Sequence, residues 1–326
     1  FGKGTLQAAG NISSNTAVGY SALVFPTNSF FFNYHGKNNT AVGRFALMNN
    51  KEGYNNSAFG SDVMGKMVDG YITGTRNAAF GGAALYNIKT GHNNTAFGSG
   101  TLYRNESGNN NTAFGTGAGY EIKEGNYLAA FGHNSLRYHV SGNYATAFGY
   151  YALGNDKTGI DNAAFGELSM YLNDSGSANT ALGANSLYFN TTGNSNTALG
   201  AAALFESNGD DNIAVGSSVL RLNATGSKNV SVGYFSLYNN TTGMRNVAIG
   251  LHAGYGEIVD ASDKLMISSK EFDNYTTLIG GDFAANKVCI GCMMSDNGTN
   301  NFNSRTEAFQ VNGNAFKTAG SGNWVI

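Results

Sequence analysis

The side chains best suited to chemistry are few and scattered. Five histidines, His35, His92, His133, His139 and His252, fall at unrelated places and suggest no nucleophile and base pair. A glycan-cleaving protein needs two carboxylates facing one groove. Glu121 with Glu124, Asp210 with Asp211, and Asp260 with Asp263 are the candidate pairs. All three lie in turn-rich segments, where solvated carboxylates are ordinary. Asp282, within GGDF, is read the same way, as a turn cap. Cys289 and Cys292 have the C-x-x-C spacing of metal and redox sites. No histidine or third cysteine lies between 264 and 326 to complete a zinc set. Residues three apart in a strand also face opposite sides, so the two cysteines read as small hydrophobes. An aromatic cluster, Phe30, Phe31, Phe32 and Tyr34, could stack on a sugar or a partner, or could cap the molecule's first coils. The expectation is a protein without catalytic residues, cofactor or metal.

These residues hang on a repeat. Fourteen times a short apolar segment ends in glycine, and from Gly81 to Gly250 the glycines recur every 17 residues with one step of 16. NTAVG ends at Gly43, NTAFG at Gly98 and Gly115, NTALG at Gly183 and Gly200, and NVAIG at Gly250. Such a period predicts an all-β, parallel β-solenoid (β-roll) of about 14 coils over residues 1–254. The longer early steps place insertions near 24–36 and 66–76. Residues 255–326 leave the pattern and predict a small C-terminal β module and tail.

Each column predicts a position. The residue before the glycine is always apolar and runs through Phe59, Phe80, Phe97, Phe114, Phe131, Phe148 and Phe165, which predicts an internal core ladder. Leucine recurs four residues after the glycine, which predicts a second inward ladder on an extended segment. Two residues before the glycine stands Ala in thirteen copies, Ala96, Ala113, Ala130, Ala147 and Ala164 among them. On the face opposite the Phe ladder, so constant a small residue predicts close contact with other chains, most simply three chains at an axis. A tight bend within one chain is the other reading. Asn precedes this alanine by two residues in twelve copies, and stacked amides can form ladders. Thr16, Thr40, Thr95, Thr112, Thr146, Thr180 and Thr197 make a broken Thr column, which admits an ice-binding surface.

Composition narrows the classes further. With 46 Gly, one Pro, 12% charged residues and a net charge of −2, the chain suits a long thin object. Its 41% hydrophobic content argues against disorder. The 19 basic residues form no stripe, so nucleic acid is not an expected partner, and no apolar run is long enough for a membrane helix. Fourteen Asn-x-Ser/Thr sequons occur, including Asn38, Asn93, Asn105, Asn190, Asn223, Asn239 and Asn297, many generated by the repeat itself.

The NTAFG repeats resemble those of trimeric autotransporter adhesin heads, and more closely the arrays of phage tail fibres and bacterial surface proteins. LIGGDFAANKVCIG at 278–291 and FQVNGNAFKTAGSGNWVI at 309–326 are similar to segments just upstream of an endosialidase-type intramolecular chaperone. Such proteins usually carry Gly and Thr where Cys289 and Cys292 stand here. The resemblance implies a homotrimeric fibre, folded by a chaperone that is then cleaved away, with Ile326 at the expected release point. It implies an extracellular or virion location and attachment to a host cell-surface glycan or protein receptor. A bacterial cell-surface adhesin or filament is the alternative, followed by an ice-binding solenoid or a polysaccharide depolymerase.

Overall fold

A computed structural model describes residues 14–23, 36–65, 71–256, 260–268 and 276–293, with short strands at 316–317 and 324–325. Within them the chain winds as an all-β parallel solenoid of about 13 coils, without helices. Fourteen strands of three residues, β1 (Thr16–Val18) to β14 (Val247–Ile249), stack one per coil. Identical columns lie side by side: Thr95, Ala96 and Phe97 pair with Thr112, Ala113 and Phe114. The 16-residue step leaves this register intact, since Thr197, Ala198 and Leu199 still pair with Ile213, Ala214 and Val215. A shorter loop before Gly209 absorbs the missing residue. At about 4.8 Å per strand the stack is about 60 Å long.

The motif glycine is what lets the chain leave the strand. Its φ runs from +115° at Gly250 to +145° at Gly149, a region open in practice only to glycine. The chain then turns through left-handed residues, such as Ala83 (φ 55°) and Leu85 (φ 50°). The Leu column therefore sits on a turn and not on an extended segment, contrary to the expectation from alternation. Leu85 points inward while its N–H donates to Thr101 O of the next coil at 2.9 Å. Where Gly119 replaces leucine, the Leu102 and Ile122 side chains close over the gap, each 2.8 Å from where a Cβ would stand.

Two sequence expectations are overturned here. Ala96, Ala113, Ala130, Ala147 and Ala164 are buried inside their own chain, so they do not form an inter-chain axis. Phe59, Phe80, Phe97, Phe114, Phe131, Phe148 and Phe165 point outward from the coil and are not its core ladder. Each of the fourteen strands has an outer, inner, outer pattern, with the middle residue inward, alanine in thirteen and Ser231 in the other. The physical reason is the narrow interior. Leu85, Leu102, Leu136 and Leu153 fill it from the turn opposite, and only a methyl group fits between them and the strand.

Buried amides tie coil to coil. Asn94 Nδ2 donates to Gly108 O at 2.8 Å, and Asn94 Oδ1 accepts the Asn111 N–H at 3.0 Å. The same pattern recurs at Asn179, Asn196, Asn212 and Asn229. This satisfies polar groups that a dry coil interior would otherwise strand. Leu128 and Ala145 interrupt the ladder, so Ala145 offers no side-chain amide oxygen to the N–H of Asn162.

The motif stops at Gly254, yet the sheet does not. Strand β15 (Lys264–Ile267) pairs in parallel with β14, placing buried Met266 in the Ala column. The sheet then reverses into an antiparallel meander of β16 (Thr276–Asp282) and β17 (Lys287–Met293). Lys264 Nζ meets Asp282 Oδ2 at 2.7 Å across β15 and β16, both side chains largely covered. That hydrogen bond holds the Asp282 carboxyl below the usual carboxylate range. A folded value below the unfolded one means full stabilisation above about pH 4, lost as pH falls through the folded value. Amide exchange in β15 and β16 should therefore accelerate between about pH 5 and about pH 2.5 relative to the solenoid coils, after correction for intrinsic rates. Equal protection ratios at both values would exclude this role for the pair.

Candidate functional site

The outer face of the fourteen-strand stack is the chain's most extensive special surface. Its outward columns are the Thr column and the Phe column, which flank the buried alanines. The phenylalanines stack ring on ring, with centroids 4.7 Å apart for Phe59 and Phe80, 5.2 Å for Phe114 and Phe131, and 6.3 Å for Phe148 and Phe165. They remain wet: Phe148 is 55% exposed, Phe97 49%, and Phe114 and Phe165 38%. Leu182 and Ile249 continue the column at similar exposure, and Val18 begins it. The sheet spacing dictates the stacking, because identical rings one coil apart are about 4.8 Å apart. Ring-on-ring contact covers the faces and leaves the outer edges open to a partner.

The other chemistry-bearing residues are mostly taken up by the coil-to-coil lattice. Glu121 pairs with Arg104 at 3.0 Å, and Asp210 accepts the Asn194 N–H at 2.7 Å. Asp263 binds Arg245 at 2.6 Å, which holds its carboxyl below the usual range, while hydrogen bonds from Thr241 and Thr242 do so for Asp260. A general acid needs the opposite direction of shift. Glu124 and Asp211 are solvent-facing turn residues, the latter in a left-handed conformation. Among the described residues no group of three or more His, Cys, Asp or Glu could hold a metal, and no helix is long and apolar enough to cross a membrane.

His133 stacks on Tyr150 at 5.6 Å, and His252 sits among Tyr234, Phe235 and Tyr255. His139 is fully buried with Asp156, Nδ1 to Oδ2 at 3.1 Å, and Asp156 also accepts from Asn173 at 2.7 Å and Gly159 N–H at 3.1 Å. The sequence reading missed this pair, although its signal was present: the two residues are one repeat, 17 positions, apart. Sequons at Asn105, Asn190 and Asn223 are buried and therefore closed to glycosylation. Phe30, Phe31, Phe32, Tyr34 and His35 lie outside the described residues, as do the side chains of Cys289 and Cys292. Comparison with protein-family models, with curated proteins and with solved structures finds no match for this chain.

Proposed function

We propose that this chain is the shaft of a homotrimeric extracellular fibre that attaches to a host cell surface, with its Phe face turned toward the trimer axis. The observation that carries the reading is the exposed, continuous aromatic and aliphatic column running from Val18 to Ile249. A phenylalanine side chain offers about 200 Å². The column therefore leaves of the order of 800 Å² of apolar surface per chain, about what one partner contributes to a stable interface. Isolated soluble chains rarely expose so much contiguous apolar area. Three parallel copies would bury it along the whole rod, and a rigid rod carrying three equivalent faces gains avidity by multivalent contact. The NTAFG-type repeats and the upstream-of-chaperone segments support a phage tail fibre or spike, folded with a cleaved chaperone. A bacterial cell-surface adhesin would use the same architecture and the same face.

Light scattering on the purified chain tests the assembly. The expected mass is three times 34.1 kDa, eluting early as an elongated particle. Phe114→Asp combined with Phe148→Asp should release monomers that keep their β-rich circular dichroism, because both rings lie outside the coil. A wild-type monomer, or a double variant that stays trimeric, would remove the Phe face from the axis.

A further inference from the structure

One concave surface lies apart from the Phe face. It is a groove of about 750 Å³ at the corner that leads into the strands. It runs over six successive coil levels, from Tyr54 through Arg76, Asn93 and Asn110 to Tyr127 and Tyr144. At about 4.8 Å per coil its length is about 24 Å.

The floor is a row of amides fixed in place. Asn126 and Asn109 are joined through Asn126 Oδ1, which accepts the Asn109 N–H at 2.8 Å, and Asn143 Oδ1 accepts the Asn126 N–H at 2.9 Å. His92 N–H donates to Asn109 Oδ1 at 2.8 Å, and the His92 ring lies 2.9 Å from Thr75 Oγ1. At one end Tyr127 and Tyr144 stack, centroids 5.2 Å apart and planes within 10°, and both are more than half exposed. At the other end the Arg76 guanidinium lies 5.8 Å from the Tyr54 ring centroid. Arg44, Arg104 and Arg245 each have a carboxylate partner, whereas Arg76 is exposed and has none among the described residues. No Asp or Glu lines the groove.

The two tyrosines are costly residues to keep there. Tyr127 and Tyr144 have φ of 58° and 62° in a column where Asn93, Asn110, Asp161 and Asp211 take the same conformation more readily. Their rings bury no core. Leu128 and Ala145, the residues that follow them, are also the ones that break the buried amide ladder.

We propose that this groove is a carbohydrate-binding site for an extended oligosaccharide, with an acidic sugar's carboxylate at Arg76. Flat rings give sugars an apolar stacking surface. Asn109 and Asn126 spend their amide N–H groups inside the protein and serve to hold the floor rigid, which leaves Asn110 Nδ2 and Asn143 Nδ2 to donate to hydroxyls and Asn93 Oδ1 to accept from them. The Arg76 guanidinium, without a carboxylate partner among the described residues, takes a carboxylate. The site deepens the adhesive reading given above by naming the receptor's chemistry and rests on it for its biological role, though not for its geometry.

Affinity electrophoresis of the full chain through gels containing a hyaluronan octasaccharide conjugate or a chitohexaose conjugate tests the site. Both probes should retard the wild type, the acidic one more strongly. Tyr127→Ala with Tyr144→Ala should weaken both at least tenfold without changing the melting temperature, since neither ring is buried. Arg76→Gln should erase only the preference for the acidic probe. Retardation by neither probe, or retardation unchanged in the tyrosine variant, overturns the site. Cell adhesion read alongside separates the two proposals. Adhesion by a chain that neither probe retards, or whose retardation the tyrosine substitutions leave unchanged, overturns the groove and keeps the adhesive fibre. Glycan retardation by a chain that adheres to no cell keeps the groove and removes the adhesive role.

Discussion

Gly132→Ala is expected to abolish assembly of a regular stack, with a loss of about 3 kcal/mol or more per chain. Two effects combine. Gly132 has φ of 133°, and a Cβ there would stand 2.4 Å from Gly149 O of the next coil. The contact is with backbone, so no side-chain rotation relieves it, and moving one coil disturbs the hydrogen bonds on both of its sides. Gly100→Ala is the matched control. Its φ of 62° is the left-handed value that Ala83 already adopts, and the nearest atoms to a new Cβ are ring carbons of Tyr120 at 3.4 Å and beyond. A cost of about 1 kcal/mol is expected there. Urea denaturation of the two variants provides the comparison, and similar midpoints would show that the close coil approach at Gly132 carries no structural role.

Leu153→Ala should cost about 2–5 kcal/mol per chain, because its side chain is wholly enclosed and the stacked backbone cannot collapse onto the void. Ala147→Leu should cost about 1–3 kcal/mol for the opposite reason, since its methyl group fills the space left by the leucine turn. Phe131→Ala belongs to a different category. The ring lies outside the coil, so its loss should spare the fold of each coil and, in the trimer proposed above, weaken association between chains. Melting curves paired with solution mass distinguish these cases. A Leu153→Ala melt equal to the wild type, or a Phe131→Ala chain that unfolds at full trimer mass, would reverse the assignment of inside and outside.

Much of this architecture was legible from spacing alone. A strict interval of 17 residues dictates a solenoid, an in-register parallel sheet and, with it, the pairing of Lys89 with Glu106 and of Lys157 with Asp174, each one interval apart. What spacing could not show is which face of a three-residue strand looks inward. Alternation is the same for Thr-Ala-Phe whether the middle residue or its neighbours are buried. Bulk then misleads, because phenylalanine is a core residue in wide interiors and this interior is only wide enough for alanine facing leucine. The leucine turn was hidden for a related reason: a non-glycine residue at φ near 50° leaves no mark in composition. The groove was illegible until coil levels could be superposed, since Tyr54 and Tyr144 are 90 positions apart in the chain. Its two tyrosines look like ordinary variation when each copy of the repeat is read by itself.

The interruption of the buried Asn ladder at Leu128 and Ala145 has a bearing on how such a molecule can change its reach. Elsewhere successive coils present one another with the same glycine, alanine and asparagine contacts, so a coil could be duplicated or removed and its neighbours would meet an equivalent surface. Length is then a modular quantity, adjustable in increments of one coil or about 4.8 Å. Between Asn105 and Asn162 the coils are not interchangeable. There the missing amides, the buried His139 and Asp156, and the paired tyrosines depend on particular neighbours one level above or below. The array thus divides into stretches free to lengthen or shorten and a central block whose order is individual.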